Sequence, residues 1–372
     1  MAGAVLAAVP AALAHDAKLP STLTFTAYDT GTSGFNIAVA VGKAFKDQHG
    51  TDLRVLPAGN DVARLTPVKV GRAQVSAMGT GIYFAQEGVF EFATREWGPQ
   101  ALQILLSSLD CNGGNLGIAK DIGSELKDLR GKRVGFVVGA PSLNQNALAS
   151  LAFAGLGKDD VKIVEFSSFG AMWKGMINND VDAAFASTIT AQTREVDTSP
   201  RGLAWPAWPH SDKAGWERVR KIAPYLQPHV ATCGSAGLSS QAPKEMGGFP
   251  YPIFSTYASL APDLVHAITK AMITGYDAYK DAAPGASGLA AGKQTKKWVV
   301  PFHPGAVKAL REAGHWTADE EAHNAGLLKR QGVLADAWAA YLKTNPPEDK
   351  FQAGWMEARK SSLVAAGLEP VF

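Results

Sequence analysis

The stretch TLTFTAYDTGTSGFNIAVAVGKAFKD, residues 22–47, changes its periodicity in the middle. Leu23, Phe25 and Ala27 alternate with Thr22, Thr24 and Thr26, the two-residue period of a strand with one buried face. Past the turn, Ile37, Val41, Ala44 and Phe45 recur at helical spacing and define one apolar stripe. The turn between them holds Gly31 and Gly34, which let the backbone approach a ligand closely, and the hydroxyls of Thr30, Thr32 and Ser33. Strand, Gly-rich turn and helix make the repeating unit of a parallel α/β sheet, and such sheets hold ligands at the carboxyl ends of their strands. The helix dipole at that position favours an anion. Taken alone, an ordinary capping turn has the same appearance.

The unit recurs along the chain. A strand at 53–56 is followed by the loop PAGND, in which Asn60 or Asp61 caps a helix that Pro67 is expected to end early. AQVSAM (73–78), GTG (79–81) and a helix at 82–88 form the third unit. RVGFVV (133–138), GAPSLN (139–144), VKIVEF (161–166) and DAAFAS (182–187) continue the rhythm with intervening helices at 145–154 and 169–177. Two similar α/β lobes are expected, each a mostly parallel sheet flanked by helices. If the chain crosses over near Cys111 and returns near Ile253, residues 20–111 and 253–372 form the first lobe and 112–252 the second. The two crossover segments then form a hinge, with Gly113, Gly114, Gly117, Pro250 and Pro252 at its ends. The Ala-rich helical tail packs on the first lobe in this scheme.

The chain has 372 residues, 36 basic and 34 acidic side chains and a formal net charge of +2, so one or two domains and no nucleic-acid partner are expected. Residues 1–14 resemble a partial signal peptide, with an A-x-A-like site at Ala12-Leu13-Ala14 but no basic n-region; a frayed apolar terminus is the alternative. No later run of about 18 apolar residues follows. Cys111 and Cys233 can pair in an exported protein and stay reduced in a cytosolic one.

Catalytic signatures are not met. GTGIYF has Phe84 where a dinucleotide fingerprint needs its third glycine, no Walker pattern occurs, and neither GTSGF nor CGSAG makes a nucleophile elbow. His303, His315 and His323 have no metal-ligand spacing. No cofactor and no metal are expected. Around the turns lie Phe35, Tyr83, Phe169, Trp173, Trp205 and Trp208, each able to stack on a ligand or simply to pack, with Trp173 kept as a candidate contact. The nearby cations Arg64, Lys174 and Arg194 read first as surface charges.

In the order of its motifs the chain resembles the TAXI-type solute receptors of TRAP transporters. The resemblance rests on YDTGTSGFNIAVAVGKAF, on LRGKRVGFVVGAPSLNQNALASLAFAGLGKDDVKIV, on LAPDLVHAITKAM and on FHPGAVKALREAG, the most distinctive of them. It implies a two-lobed periplasmic-binding-protein fold of the type II kind, without catalysis. It implies closure on a small organic anion, a dicarboxylate, amino acid or aromatic acid, and delivery to a TRAP-type membrane permease. A periplasmic monomer is expected. By position it implies contacts from Gly31, Thr32, Ser33, Gly34 and Phe35, from Asn60, and from Gly79, Thr80, Gly81 and Tyr83. On the second lobe it implies Gly139, Ala140, Ser142 and Asn144, with Ser187 and Thr188. GAPSLNQN departs from the Gly- and Ser-rich turn of relatives. Competing readings are an enzyme, such as a transferase, on the same scaffold, or a receptor for another carrier or sensor.

Overall fold

A computed structural model describes residues 18–372, so the signal-peptide reading of residues 1–14 lies outside the described residues. Twelve strands are formed among those described: β1 (Thr22–Tyr28), β2 (Asp52–Ala58), β3 (Val75–Met78), β4 (Leu102–Ser107), β5 (Gly114–Ala119), β6 (Arg133–Val137), β7 (Lys162–Phe166), β8 (Ala183–Ser187), β9 (Leu203–Ala204), β10 (Gln227–Ala231), β11 (Lys244–Gly248) and β12 (Ile253–Tyr257). They form two sheets, one in the order β2-β1-β3-β12-β4 and one in the order β10-β11-β5-β8-β6-β7 with β9 beside β5. The chain passes from the first sheet to the second between β4 and β5 and returns between β11 and β12.

The alternating β1 and the buried β3 and β4 stack against helices, as the apolar periods require. Both sheets are mixed, where the sequence leads one to expect mostly parallel ones. Pairing is parallel for β1 with β2 and β3, and for β6 with β7 and β8. It is antiparallel for β12 with β3 and β4, and for β5 with β8, β9 and β11. The reason is connectivity. Strands β5 and β12 enter from the crossovers and not through a strand-helix-strand unit, which is what enforces parallel pairing.

Local signals explain the helices. Thr32 accepts from the Phe35 N–H at 3.4 Å to start the Ser33–His49 helix, and Gly50 ends it at φ 70°. Asn60 caps Ala63 N–H at 2.7 Å to start the Asp61–Lys69 helix, which runs through Pro67 and ends just after it. The distinctive FHPG segment is a packing joint. His303 caps the Pro304–Glu312 helix through Gly305 N–H at 3.2 Å, and a Cβ on Gly305 would stand 2.3 Å from the Pro262 carbonyl oxygen of the neighbouring Pro262–Thr274 helix.

The tail helices Ala318–Lys343 and Glu348–Ala365 lock onto the first lobe through the buried Glu87. Its carboxylate accepts from Arg330 Nε at 2.7 Å and Nη2 at 2.8 Å, and pairs with the buried Arg359. Cys111 and Cys233 form a disulfide, with Cα atoms 5.3 Å apart, tying the first crossover to the segment after β10. No described helix is long and apolar enough to cross a membrane, and no described group of three or more His, Cys, Asp or Glu is placed to hold a metal.

Candidate functional site

Residues at or just after the carboxyl ends of β1, β3 and β8 meet at the junction of the lobes, around a small cavity. Tyr28, Thr32, Gly79 and Thr80 line it from the first lobe. Ser142, Leu143, Asn146, Phe169, Phe185, Ala186, Ser187 and Thr190 line it from the second, and Phe249 and Tyr251 of the returning crossover close it. Water-sized bodies find about 30 Å³ open to them there, space for roughly two of them. A larger occupant needs the lobes to part.

Hydrogen bonds from one lobe to the other surround the cavity. Asp61, fully buried, is their centre. Its Oδ1 accepts from the Tyr28 hydroxyl at 2.6 Å and from Arg64 Nη2 at 2.6 Å, while Oδ2 accepts the backbone N–H of Ser142 at 2.8 Å. Ser142 stands in the first turn of the Pro141–Phe153 helix, so a first-lobe carboxylate caps a second-lobe helix. Ser142 Oγ lies 3.0 Å from the Tyr28 hydroxyl. Asp29 repeats the device: its Oδ2 accepts Gly170 N–H at 2.8 Å, at the start of the Phe169–Ile177 helix.

Asn146 carries a third tie. Its Nδ2 donates to Thr80 Oγ1 at 3.1 Å and its Oδ1 accepts from the Tyr225 hydroxyl at 2.9 Å. The Tyr225 ring is inserted between first-lobe aromatics, 5.9 Å from Tyr83 and 5.5 Å from Phe84, and its carbonyl accepts from Trp298 Nε1 at 3.2 Å. Burial, and then the charge of Asp61, push the Tyr28 hydroxyl well above its ordinary pKa, so it remains a neutral donor. Its ring stacks on Phe169 at 5.8 Å, and the Arg64 guanidinium lies over the ring, 3.7 Å from its centre.

Of the residues proposed from sequence, Thr32, Gly79, Thr80, Ser142 and Ser187 line the cavity. Gly31 and Gly139 are not among the lining residues, and their carbonyls accept from Ala191 N–H at 3.2 Å and Val62 N–H at 3.2 Å across the lobes. Gly34 lies under Tyr251, whose hydroxyl would be 3.1 Å from a Cβ there, and Gly81 lies against the Asp61 carboxylate, 2.8 Å from such a Cβ. The hydroxyl of Ser33 is buried beside Tyr251.

Others serve the frame. Asn60 caps its helix, Ala140 precedes the Pro141–Phe153 helix, and Asn144 braces Val137 through bonds of 2.9 and 3.0 Å. Thr188 accepts Gly113 N–H at 3.2 Å and donates to the Cys233 carbonyl at 2.8 Å, which makes it a brace on the crossover. Phe35 is half-buried outside the lining, Tyr83 belongs to the Tyr225 socket, and Trp173 packs 6.2 Å from Phe169 in the second-lobe core. Trp205 and Trp208 bond to Ser235 and Asn115 inside the second lobe, at 3.3 and 2.8 Å.

One reading is corrected. Arg64, taken as a surface charge, is fully buried and neutralised by Asp61, while Lys174 and Arg194 are exposed. Sequence reasoning missed Tyr28, Asn146, Tyr225, Phe185, Phe249 and Tyr251 as site residues. Only the Asp61/Arg64 spacing of one helical turn beside a glycine loop carried a signal.

A profile described as the NMT1-like family matches residues 26–314. Among solved structures, an ancestral arginine-binding protein bound to arginine is similar at 14% identity, covering 71% of this chain and 97% of that one with a TM-score of 0.43. The alkanesulfonate-binding protein of Xanthomonas axonopodis pv. citri bound to MOPS is similar at 15% identity, covering 91% and 99% with a TM-score of 0.42. An amino acid ABC transporter substrate-binding protein of Streptococcus pneumoniae bound to L-arginine is similar at 13% identity, covering 71% and 96% with a TM-score of 0.41. No curated protein matches the sequence.

Proposed function

The chain belongs to the NMT1-like family, and from that premise we propose an extracytoplasmic solute-binding protein that captures a small organic acid between its lobes and hands it to a membrane permease. The observation that carries the reading is the cavity itself: it is enclosed by side chains of both lobes and of the returning crossover. A ligand that touches both lobes stabilises their apposition, and the two crossovers provide the hinge.

The lining matches such a ligand. Hydroxyls of Thr32, Thr80, Ser142, Ser187 and Thr190 and the amide of Asn146 offer neutral polar contacts, while Phe169, Phe185, Phe249 and Tyr251 form apolar walls. This mixture suits an acid with an apolar or aromatic body. Tyr28 is pushed away from neutral pH, which makes it a poor base beside Ser142 and favours holding over chemistry. The Cys111–Cys233 disulfide agrees with an oxidising compartment. A TRAP-type permease as the recipient rests on the motif resemblance alone.

Native mass spectrometry of the protein purified from its host tests the reading, followed by thermal shift with the released molecule. A bound small acid whose stabilising shift of the melting temperature grows with the logarithm of its concentration is expected. Failure of every small acid to stabilise the protein overturns it.

A further inference from the structure

The Gly81–Glu87 helix has 7 residues, about 10 Å of rise, and is too short to keep its shape without packing. It stands between the cavity and the tail. At its amino end, Thr80 lines the cavity and accepts from the second-lobe Asn146, while Tyr83 and Phe84 make the socket that receives the second-lobe Tyr225 ring. At its carboxyl end the tail helices take the polar groups. Arg330 and Arg359 pair with the Glu87 carboxylate, Trp355 Nε1 donates to the Gly88 carbonyl at 2.7 Å, and Gln331 Nε2 donates to Gln86 Oε1 at 2.9 Å. Phe372 packs on the socket itself, its ring 5.6 Å from both Tyr83 and Phe84, and Arg359 Nη2 holds the adjacent Val371 carbonyl at 2.6 Å. None of these tail residues lines the cavity, and all lie beyond residues 26–314, the part matched by the family profile.

We propose that the tail is a closing clamp: Arg330, Arg359 and Phe372 are positioning residues that hold the Gly81–Glu87 helix where Thr80 and the Tyr83/Phe84 socket fit the second lobe, and so set how readily the lobes part. Asn146 and Tyr225 are bonded to each other and must meet their first-lobe partners together. The Thr80–Asn146 bond, at 3.1 Å, is near the long end of the normal range, so a small shift of the helix breaks it and leaves a buried amide unsatisfied. The same shift moves the rings on which Tyr225 rests. These contacts exist only while the lobes are together, so loosening the clamp weakens the closed arrangement and leaves the sheet of the second lobe unaffected. A bound molecule leaves through parted lobes, and the clamp therefore slows its release without touching it. The clamp goes beyond the solute-binding reading and is observable with no ligand present.

Hydrogen exchange read by mass spectrometry on the full, ligand-free chain tests this. The backbone N–H groups of Ser142, Gly170 and Ala191 on the second lobe are bonded to first-lobe acceptors, so they report parting of the lobes, whereas those of the Arg133–Val137 strand report the second lobe's own sheet. Phe372→Ala and Glu87→Gln are each expected to speed exchange at the three cleft positions about fivefold or more and to leave the strand within about twofold. Phe372 is only partly buried, so Phe372→Ala carries the test if Glu87→Gln does not fold. Exchange that rises in the Gly81–Glu87 helix and the tail alone, with the cleft positions unchanged, overturns the inference. A rise of equal size in the strand overturns it too, because the whole fold is then loosened. Neither result depends on an acid binding, so the solute-binding reading stands or falls separately on the melting shifts.

Discussion

The Asp61 carboxylate and the Ser142 backbone N–H meet at 2.8 Å across the cleft, one from each lobe. The sequence separates them by 81 residues, and no local rule links them. The contact is affordable only because Arg64 supplies a buried counter-charge on the same carboxylate.

Replacing Arg64 with Met is therefore expected to strand a buried carboxylate and to cost about 3–5 kcal/mol of stability. Urea unfolding measures it, and Asp61→Asn/Arg64→Met should recover much of the loss. A single-variant cost below about 1 kcal/mol would mean that the pair behaves as an exposed one.

Asn146→Ala removes both the Thr80 and the Tyr225 bonds of the third tie. Each is a buried neutral hydrogen bond, and Tyr225→Phe alone should cost about 1 kcal/mol. Because the residues share one network, the double variant is expected to lose less than the sum of the singles. Small-angle scattering should show a wider average separation of the lobes in Asn146→Ala; an unchanged radius of gyration would exclude a role in closure.

Phe169→Ala empties one wall of the cavity and removes the partner of the Tyr28 ring. A loss of about 3–5 kcal/mol is expected from the truncation of a buried aromatic. Ligand affinity should fall with it, whereas Phe35→Ala, outside the lining, should leave affinity within about twofold, a change of about 0.4 kcal/mol. Calorimetry on the two variants separates wall from surroundings.

Reduction of Cys111–Cys233 opens a link between residues 122 apart in the sequence. A stability loss of about 2–5 kcal/mol is expected, together with easier parting of the lobes, since Cys111 lies in the first crossover. Thermal melts with and without reductant check the first part, and unchanged melts would contradict it.

Acid sensitivity should come partly from Asp182. Burial alone would raise its pKa, but hydrogen bonds from the side chain and backbone of Arg133 and from Arg201 overcome this and hold it at about 2. A carboxyl depressed in the folded state contributes stability above its unfolded value near 4, and loses that contribution as the pH falls toward the folded value. Asp182→Asn is therefore expected to flatten the stability profile between about pH 4 and 2. An equally steep acid limb in the variant would assign the sensitivity to other groups.

Local chemistry was legible in residues 22–47, because the strand's alternation, the Thr32 cap and the apolar stripe of the helix are all set by near neighbours in the chain. The turn at 79–81 was legible for the same reason, whereas the loop expected at 139–144 ends at Ala140, because Pro141 fits the first helical position and opens the Pro141–Phe153 helix. Sheet direction was not: β5 and β12 enter from the crossovers, and a crossover without a helix imposes no parallel pairing. The partners of the turns were also hidden. Thr188 and Asn144 look like ligand groups in sequence because a hydroxyl or amide beside a glycine turn serves a crossover brace and a binding site equally well.

The sequence by itself determined the strand-turn-helix units and the small hydroxyl-bearing residues at their ends, because these depend on spacing and capping within a few residues. Only the tertiary structure decided that Asp61 and Asp29 hold the second-lobe helix N-termini. That outcome depends on bringing distant charges together out of water, where pairing and desolvation act through space and leave no periodic trace along the chain.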